Sequence, residues 1–174
     1  MIRPLAVLLM LAATPSKAQH AHSAMGTADA GPSETGQSAF AAIAEIVALL
    51  RPDDATDWEA VDIPALQQHL IDMDLLTTQA VSVATPTSTG AVFEVSGSGE
   101  VIDALLRMVP AHAPFLDAEA GWTTEVAEMP DGVMMTVTGD ASMIQGLGFH
   151  GLMTIGAHHQ EHHLMIATGQ SPHL

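Results

Sequence analysis

A chain of 174 residues with 20 acidic and only four basic side chains repels polyanions. That balance excludes nucleic acid and anionic lipid as partners and favours cations. Cysteine is absent, which excludes disulfides and every thiolate metal site, so stability rests on packing or on a metal held by other ligands.

The N-terminus reads as a targeting segment. Arg3 precedes an unbroken apolar run from Leu5 to Ala13, and Ser16-Lys17-Ala18 offers a small-x-small cleavage site. These are the three parts of a secretory signal peptide, residues 1–18, and the run is too short to span a bilayer. A second cleavage point would follow Ser23. The expectation is a periplasmic or secreted protein with no membrane insertion after cleavage. Cleavage removes Arg3 and Lys17, leaving Arg51 and Arg107 as the basic residues. Residues 19–37, rich in Ala, Gly, Ser and Thr, read as a flexible leader. Its His20-Ala21-His22 is at most a weak metal-capture arm.

Residues 38–174 are expected to form a single α+β domain, a length that suits one sizeable core. Phe40, Ile43, Ile46 (or Val47) and Leu50 recur at helical spacing, which predicts a helix over Ser38 to Leu50. Residues 52–57 break it. Asp62 is placed to cap a second helix, with Pro64 in its first turn, running from Ile63 to about Thr77 and burying Leu66, Leu70 and Met73. Gln79 to Thr85 and Ala91 to Gly97 are β-rich runs around a turn at residues 86–90. From about Gly99 a third helix carries Val101, Ile102, Leu105, Val109 and His112 on one stripe, and Pro110 should kink or loosen its last turns. Trp122 to Met129 and Gly132 to Thr138 form a second hairpin around Pro130-Asp131-Gly132. Asp140 then caps a long final helix.

This order implies an internal duplication. His69 to Gly97 aligns with His112 to Gly139: Asp74 falls on Asp117, Val83-Ala84 on Val126-Ala127, and Gly90 on Gly132 after a one-residue gap. Val95-Ser96-Gly97 falls on Val137-Thr138-Gly139. Further on, Val109-Pro110-Ala111-His112 lands on Ile155-Gly156-Ala157-His158, with four extra residues in the last helix. Two strand-strand-helix repeats predict a four-stranded antiparallel sheet with helices on one face, preceded by one or two N-terminal helices.

The chemistry concentrates in residues 149–165, which hold five of the ten histidines. On a helix, His158 and His162 are four apart and share a face, with Met165 three beyond His162. His159 and His163 form a second pair about 100° round the axis. Imidazoles at i and i+4 can chelate one ion. The plainer alternative is a solvated, His-rich helix end. His150 is eight residues before His158 and extends its face if the helix is continuous. For His112 alone, on an apolar stripe, a core histidine bonded to a carbonyl or to Asp117 is the ordinary reading. Equivalent positions for His69, His112 and His158 in successive units favour a shared site instead.

Imidazole suits copper and zinc, and thioethers favour cuprous copper. Met73 lies four residues after His69, Met108 four before His112, and Met165 in the cluster, although methionine also serves simply as core filler. The expected ligands are His158, His162, His112 and His69, with His159, His163, Met73 and Met165 as auxiliaries. The expected ion is copper, with zinc the alternative. The His- and Met-rich exported character is similar to that of periplasmic copper-handling proteins in general, a likeness of composition rather than of motif. A metal-dependent hydrolase or oxidase is the alternative, because His158-x-x-Glu161-His162 reads formally as an inverted zinc-protease motif. Only 12 residues follow His162, which leaves little room for the distant third ligand of such enzymes. Glu161 can instead be a solvated carboxylate or a partner that orients His158. A pH-sensing interaction domain built on clustered imidazoles is the third reading.

Overall fold

Short-range signals set the ends of the elements. In the computed structural model, residues 39–157 and 159–170 are described, the His159 side chain excepted. Helix α1 spans Ala39–Leu50 and α2 spans Ile63–Gln79. Strands β1 (Val81–Thr87) and β2 (Gly90–Ser96) follow, then α3 (Glu100–Ala120), β3 (Thr123–Met129) and β4 (Gly132–Thr138). Helices α4 (Ala141–Leu152) and α5 (His159–Ala167) close the order. Asp62 caps α2 by accepting the Ala65 N–H at 2.9 Å, and Asp140 caps α4 by accepting the Met143 N–H at 3.0 Å. The expected signal peptide and leader lie outside the described residues, as does His158.

The four strands form one antiparallel sheet in the order β1-β2-β4-β3. Its centre is the β2–β4 pairing, where Gly90 faces Thr138 and Ser96 faces Gly132. Across this seam the Gly97 N–H donates to Asp131 O at 2.9 Å, and the Gly139 N–H donates to Thr89 O at 2.8 Å. These two bonds exchange under the repeat alignment, as a pseudo-twofold axis between β2 and β4 requires. A Cβ on Gly90 would collide with the Val137 carbonyl, and one on Gly132 with the Val95 carbonyl, so the same close approach occurs twice.

Alternation along the two central strands turns Ala91, Phe93 and Val95, with Val133, Met135 and Val137, into the core. They meet Val101, Leu105, Val109 and Leu116 of α3, Ile144, Phe149 and Leu152 of α4, and Leu75 and Leu76 of α2. Each large side chain buried this way contributes roughly 1.5–3 kcal/mol. The opposite face is open, with Val83, Glu94, Met134 and Ala127 in one cross-strand row and Val83 and Met134 exposed. The helices pack crosswise: α3 lies on β3 and β4, whereas α4 lies on β1 and β2. Each repeat therefore covers the strands of the other. Helices α1, α2 and α5 close a second, smaller core around Ile46, Leu50, Leu66 and Ala167.

Four local expectations change. Phe40 is 85% exposed, because the buried stripe of α1 runs through Ala42, Ile46 and Leu50 instead. Pro86 lies inside β1, which an edge strand tolerates, and the turn shrinks to Ser88 and Thr89. Helix α3 continues through Pro110 and Pro114. Both prolines are exposed, so the carbonyls they leave without intrahelical donors lie on the side that water reaches. The long final helix is broken. Gly148 is non-helical inside α4 (φ 63, ψ 179), Gly156 has φ 71, and the chain leaves the helix between Leu152 and His159. Glycine's low helix propensity accounts for breaks there, and the break falls where the repeat alignment needs its extra residues.

Candidate functional site

One turn of α2 carries Gln68, His69 and Asp72, with Asp72 four residues after Gln68 and three after His69, spacings that bring side chains together on a helix. Asp72 is only 3% exposed. Arg107 of α3 reaches it with both arms of the guanidinium, Nε to Oδ2 and a terminal NH2 to Oδ1, each at 2.8 Å. Gln68 adds a donor to Oδ1 at 2.9 Å. Burial by itself would raise the Asp72 pKa, but the hydrogen bonds from Arg107 and Gln68 and the Arg107 charge together lower it. His69 adds a smaller electrostatic pull in the same direction. The Asp72 hydrogen bond in turn raises the Arg107 pKa. This bidentate clamp fixes α2 to α3.

Helix α5 approaches the same turn of α2. The His163 ring lies edge-on to His69, with centroids 5.5 Å apart and planes at 73°. Nε2 of each ring is buried, and His163 is 7% exposed as a whole. His162, 8% exposed, points elsewhere, edge-on to Phe115 of α3 at 4.9 Å. His112 lies one turn before Phe115, buried, with Nε2 3.1 Å from Leu152 O. A carbonyl only accepts, so Nε2 carries the proton, and a neutral His112 keeps its ring lone pair on Nδ1. This is the carbonyl-bonded core histidine that its apolar stripe implied. His69 and His163 thus meet between α2 and α5, whereas His162 faces Phe115 of α3 and His112 is bonded to Leu152 of α4.

The other candidates lie around this junction in different ways. Met73 is half-buried one turn beyond His69 on α2. Met165 lines an open surface cavity of about 480 Å³ with Leu50, Asp53, Thr56, Asp57 and Thr168. His150 does not extend an α5 face, because the helix is interrupted between them; its Nε2 donates to Leu76 O at 3.2 Å. Glu161 is exposed. His158, expected to pair with His162, and the side chain of His159 lie outside the described residues. Among the described residues, no group of three or more His, Asp or Glu is arranged to hold a metal ion.

Sequence reasoning missed Asp72, Arg107, Gln68 and Phe115. A signal for the clamp existed: Asp72 stands between Leu66 and Leu75-Leu76 on an otherwise apolar stripe, and Arg107 is one of two Lys or Arg residues after residue 37. It also ranked His163 behind His162, because α5 was read as part of one continuous helix.

No family model, curated protein or solved structure matches the chain. Among the described residues, no helix is long and apolar enough to cross a membrane.

Proposed function

We propose that this is an exported protein that binds a transition-metal ion through imidazoles of α2 and α5, copper in preference to zinc, and so carries or buffers that ion. The observation that supports the reading best is the His69–His163 pair. Two imidazoles bound to one ion through nitrogens about 2.0–2.1 Å from it place their ring centroids about 5–6 Å apart. The observed separation is 5.5 Å. The two rings come from different helices, so an ion between them would join α5 to α2.

His158 and His162 remain proposed ligands. His158 immediately precedes α5, whose first turn carries His162. His112 is proposed next, with His159, Met73 and Met165 as auxiliaries. Imidazole binds metal as the neutral ring, so uptake releases protons from any ring that was charged and weakens as the medium turns acid. Copper is favoured over zinc because thioethers and imidazoles are the only soft donors in a chain without cysteine. Export rests on the signal-like residues 1–18.

The test is titration of metal-free protein with Cu(I), Cu(II) and Zn(II) under a competing chelator. His69→Ala/His163→Ala and His158→Ala/His162→Ala variants are measured alongside. One tight equivalent, weakened in both variants, is the expected result. Weak binding that ignores both pairs would contradict the reading.

A further inference from the structure

We propose that the site between α2 and α5 selects a monovalent soft ion, cuprous copper, over divalent zinc or cupric copper. This rests on the metal-binding reading above and specifies which ion that site takes.

An apolar core lies beside the two rings. His69 lies one turn from Leu66, which is fully buried, and His163 one turn from Ala167, also fully buried. Leu70, Leu164 and Ile166 pack against the same small core. Moving an ion from water into such a place carries a desolvation cost that rises with the square of its charge, so a divalent ion costs about four times as much as a monovalent one. Such a cost is offset only by opposite charge or by strong dipoles at the site.

Opposite charge is in short supply there. The imidazoles bind as neutral rings. Among the described residues Asp72 is the one carboxylate residue buried as a whole, and both its oxygens are held by Arg107; Asp117, which also buries an oxygen, stands on α3 rather than on α2 or α5. The Asp72–Arg107 pair is close to neutral as a unit, and the two 2.8 Å bonds show how firmly the guanidinium is engaged. A zinc or cupric ion would bring two positive charges, with no buried carboxylate of α2 or α5 left free to meet them. A cuprous ion brings one, and it accepts low coordination numbers and thioether ligands. Met73, one turn from His69, is placed on α2 to supply such a donor. The ring separation of 5.5 Å leaves the two imidazoles within reach of one ion.

The test uses the full chain, purified without metal and titrated anaerobically with Cu(I), with Ag(I) as a monovalent probe free of redox chemistry, and with Zn(II). Wild-type protein should bind Ag(I) and Cu(I) at least about 100-fold more tightly than Zn(II), the soft-donor preference adding to the charge difference. A His69→Gln/His163→Gln variant should lose that binding. Zinc bound as tightly as Cu(I) through the same two histidines overturns the selectivity and leaves the metal site standing. No binding of any of the three ions, or binding indifferent to the two substitutions, overturns the site itself. A second pair of variants tests the charge account. Arg107→Gln frees the Asp72 carboxylate and should narrow the Ag(I)-to-Zn(II) ratio about tenfold or more. Asp72→Asn/Arg107→Gln removes both charges and should leave the ratio near wild type. A narrowed ratio in the neutral double variant would overturn the charge account even if Arg107→Gln alone proves too unstable to measure.

Discussion

Arg107 and Asp72 meet across the α2–α3 interface in a bidentate pair, with both N–O distances at 2.8 Å. One partner is almost wholly buried and the other about half exposed, 4% against 51% of the side chain. Removing the guanidinium would strand a carboxylate that water cannot reach. Arg107→Ala should therefore destabilise the protein by about 2–3 kcal/mol, less than a fully buried pair because solvent screens the outer half. Asp72→Asn/Arg107→Gln should recover part of that loss. Urea unfolding of the three proteins measures both effects, and an Arg107→Ala variant as stable as wild type would contradict the assignment.

The same clamp predicts a pH dependence. The folded pKa of Asp72 lies below its ordinary value of 3.8. Its contribution is thus fully present above that value and is lost as pH falls through the lower folded one. Melting temperature followed from pH 6 downward should drop more steeply below about pH 4 in wild type than in Asp72→Asn. Parallel curves for the two proteins would show that Asp72 is not ionised in the folded state.

Gly156 turns the chain into α5 with φ 71, and a Cβ there would press on the Phe115 carbonyl. Gly121, just past the end of α3, has the left-handed φ 68 and ψ 30, but a Cβ on it meets nothing within 4 Å. Gly121→Ala should cost only the left-handed backbone penalty, about 1–2 kcal/mol. Gly156→Ala should cost clearly more and should loosen α5, because steric displacement is added to the same penalty. Hydrogen exchange of the α5 amides separates the two variants. Equal protection in both would rule out the proposed contact between the turn and α3.

The pseudo-twofold axis makes its own prediction. Gly90 and Gly132 face the Val137 and Val95 carbonyls in equivalent ways. Gly90→Ala and Gly132→Ala should therefore destabilise to similar extents, each by more than about 3 kcal/mol, since backbone must separate from backbone at the centre of the sheet. Chemical denaturation of both reads this directly. A large asymmetry would mean that the two halves do not share one packing solution.

Local chemistry made much of this architecture legible from the residues. The Asp62 and Asp140 caps, the two hairpins and the repeat register follow from side chains a few positions apart, and the antiparallel sheet follows from the repeat. What stayed hidden depends on contacts between distant segments. Helical spacing put Phe40 on a buried stripe, but α5 covers Ile46 and Leu50 instead. Pro110 looked like a helix breaker, and its exposure on the outer face of α3 removed that penalty. The break before α5 falls at glycines, but the packing of Gly156 on Phe115 is a contact that no periodicity reveals. It also decides which histidine meets His69: a continuous helix made His158 and His162 the leading pair, whereas the docking of α5 on α2 brings in His163.

The most direct test of the central claim is Cu(I) titration of the metal-free protein under a competing chelator, run in parallel with His69→Ala/His163→Ala. Circular dichroism confirms that the variant is folded. One tight equivalent in wild type, weakened at least about 100-fold in the folded variant, is the predicted result, since two ligands are lost together. Equal affinity in the two proteins, or no tight equivalent in either, would contradict a metal site built on this pair.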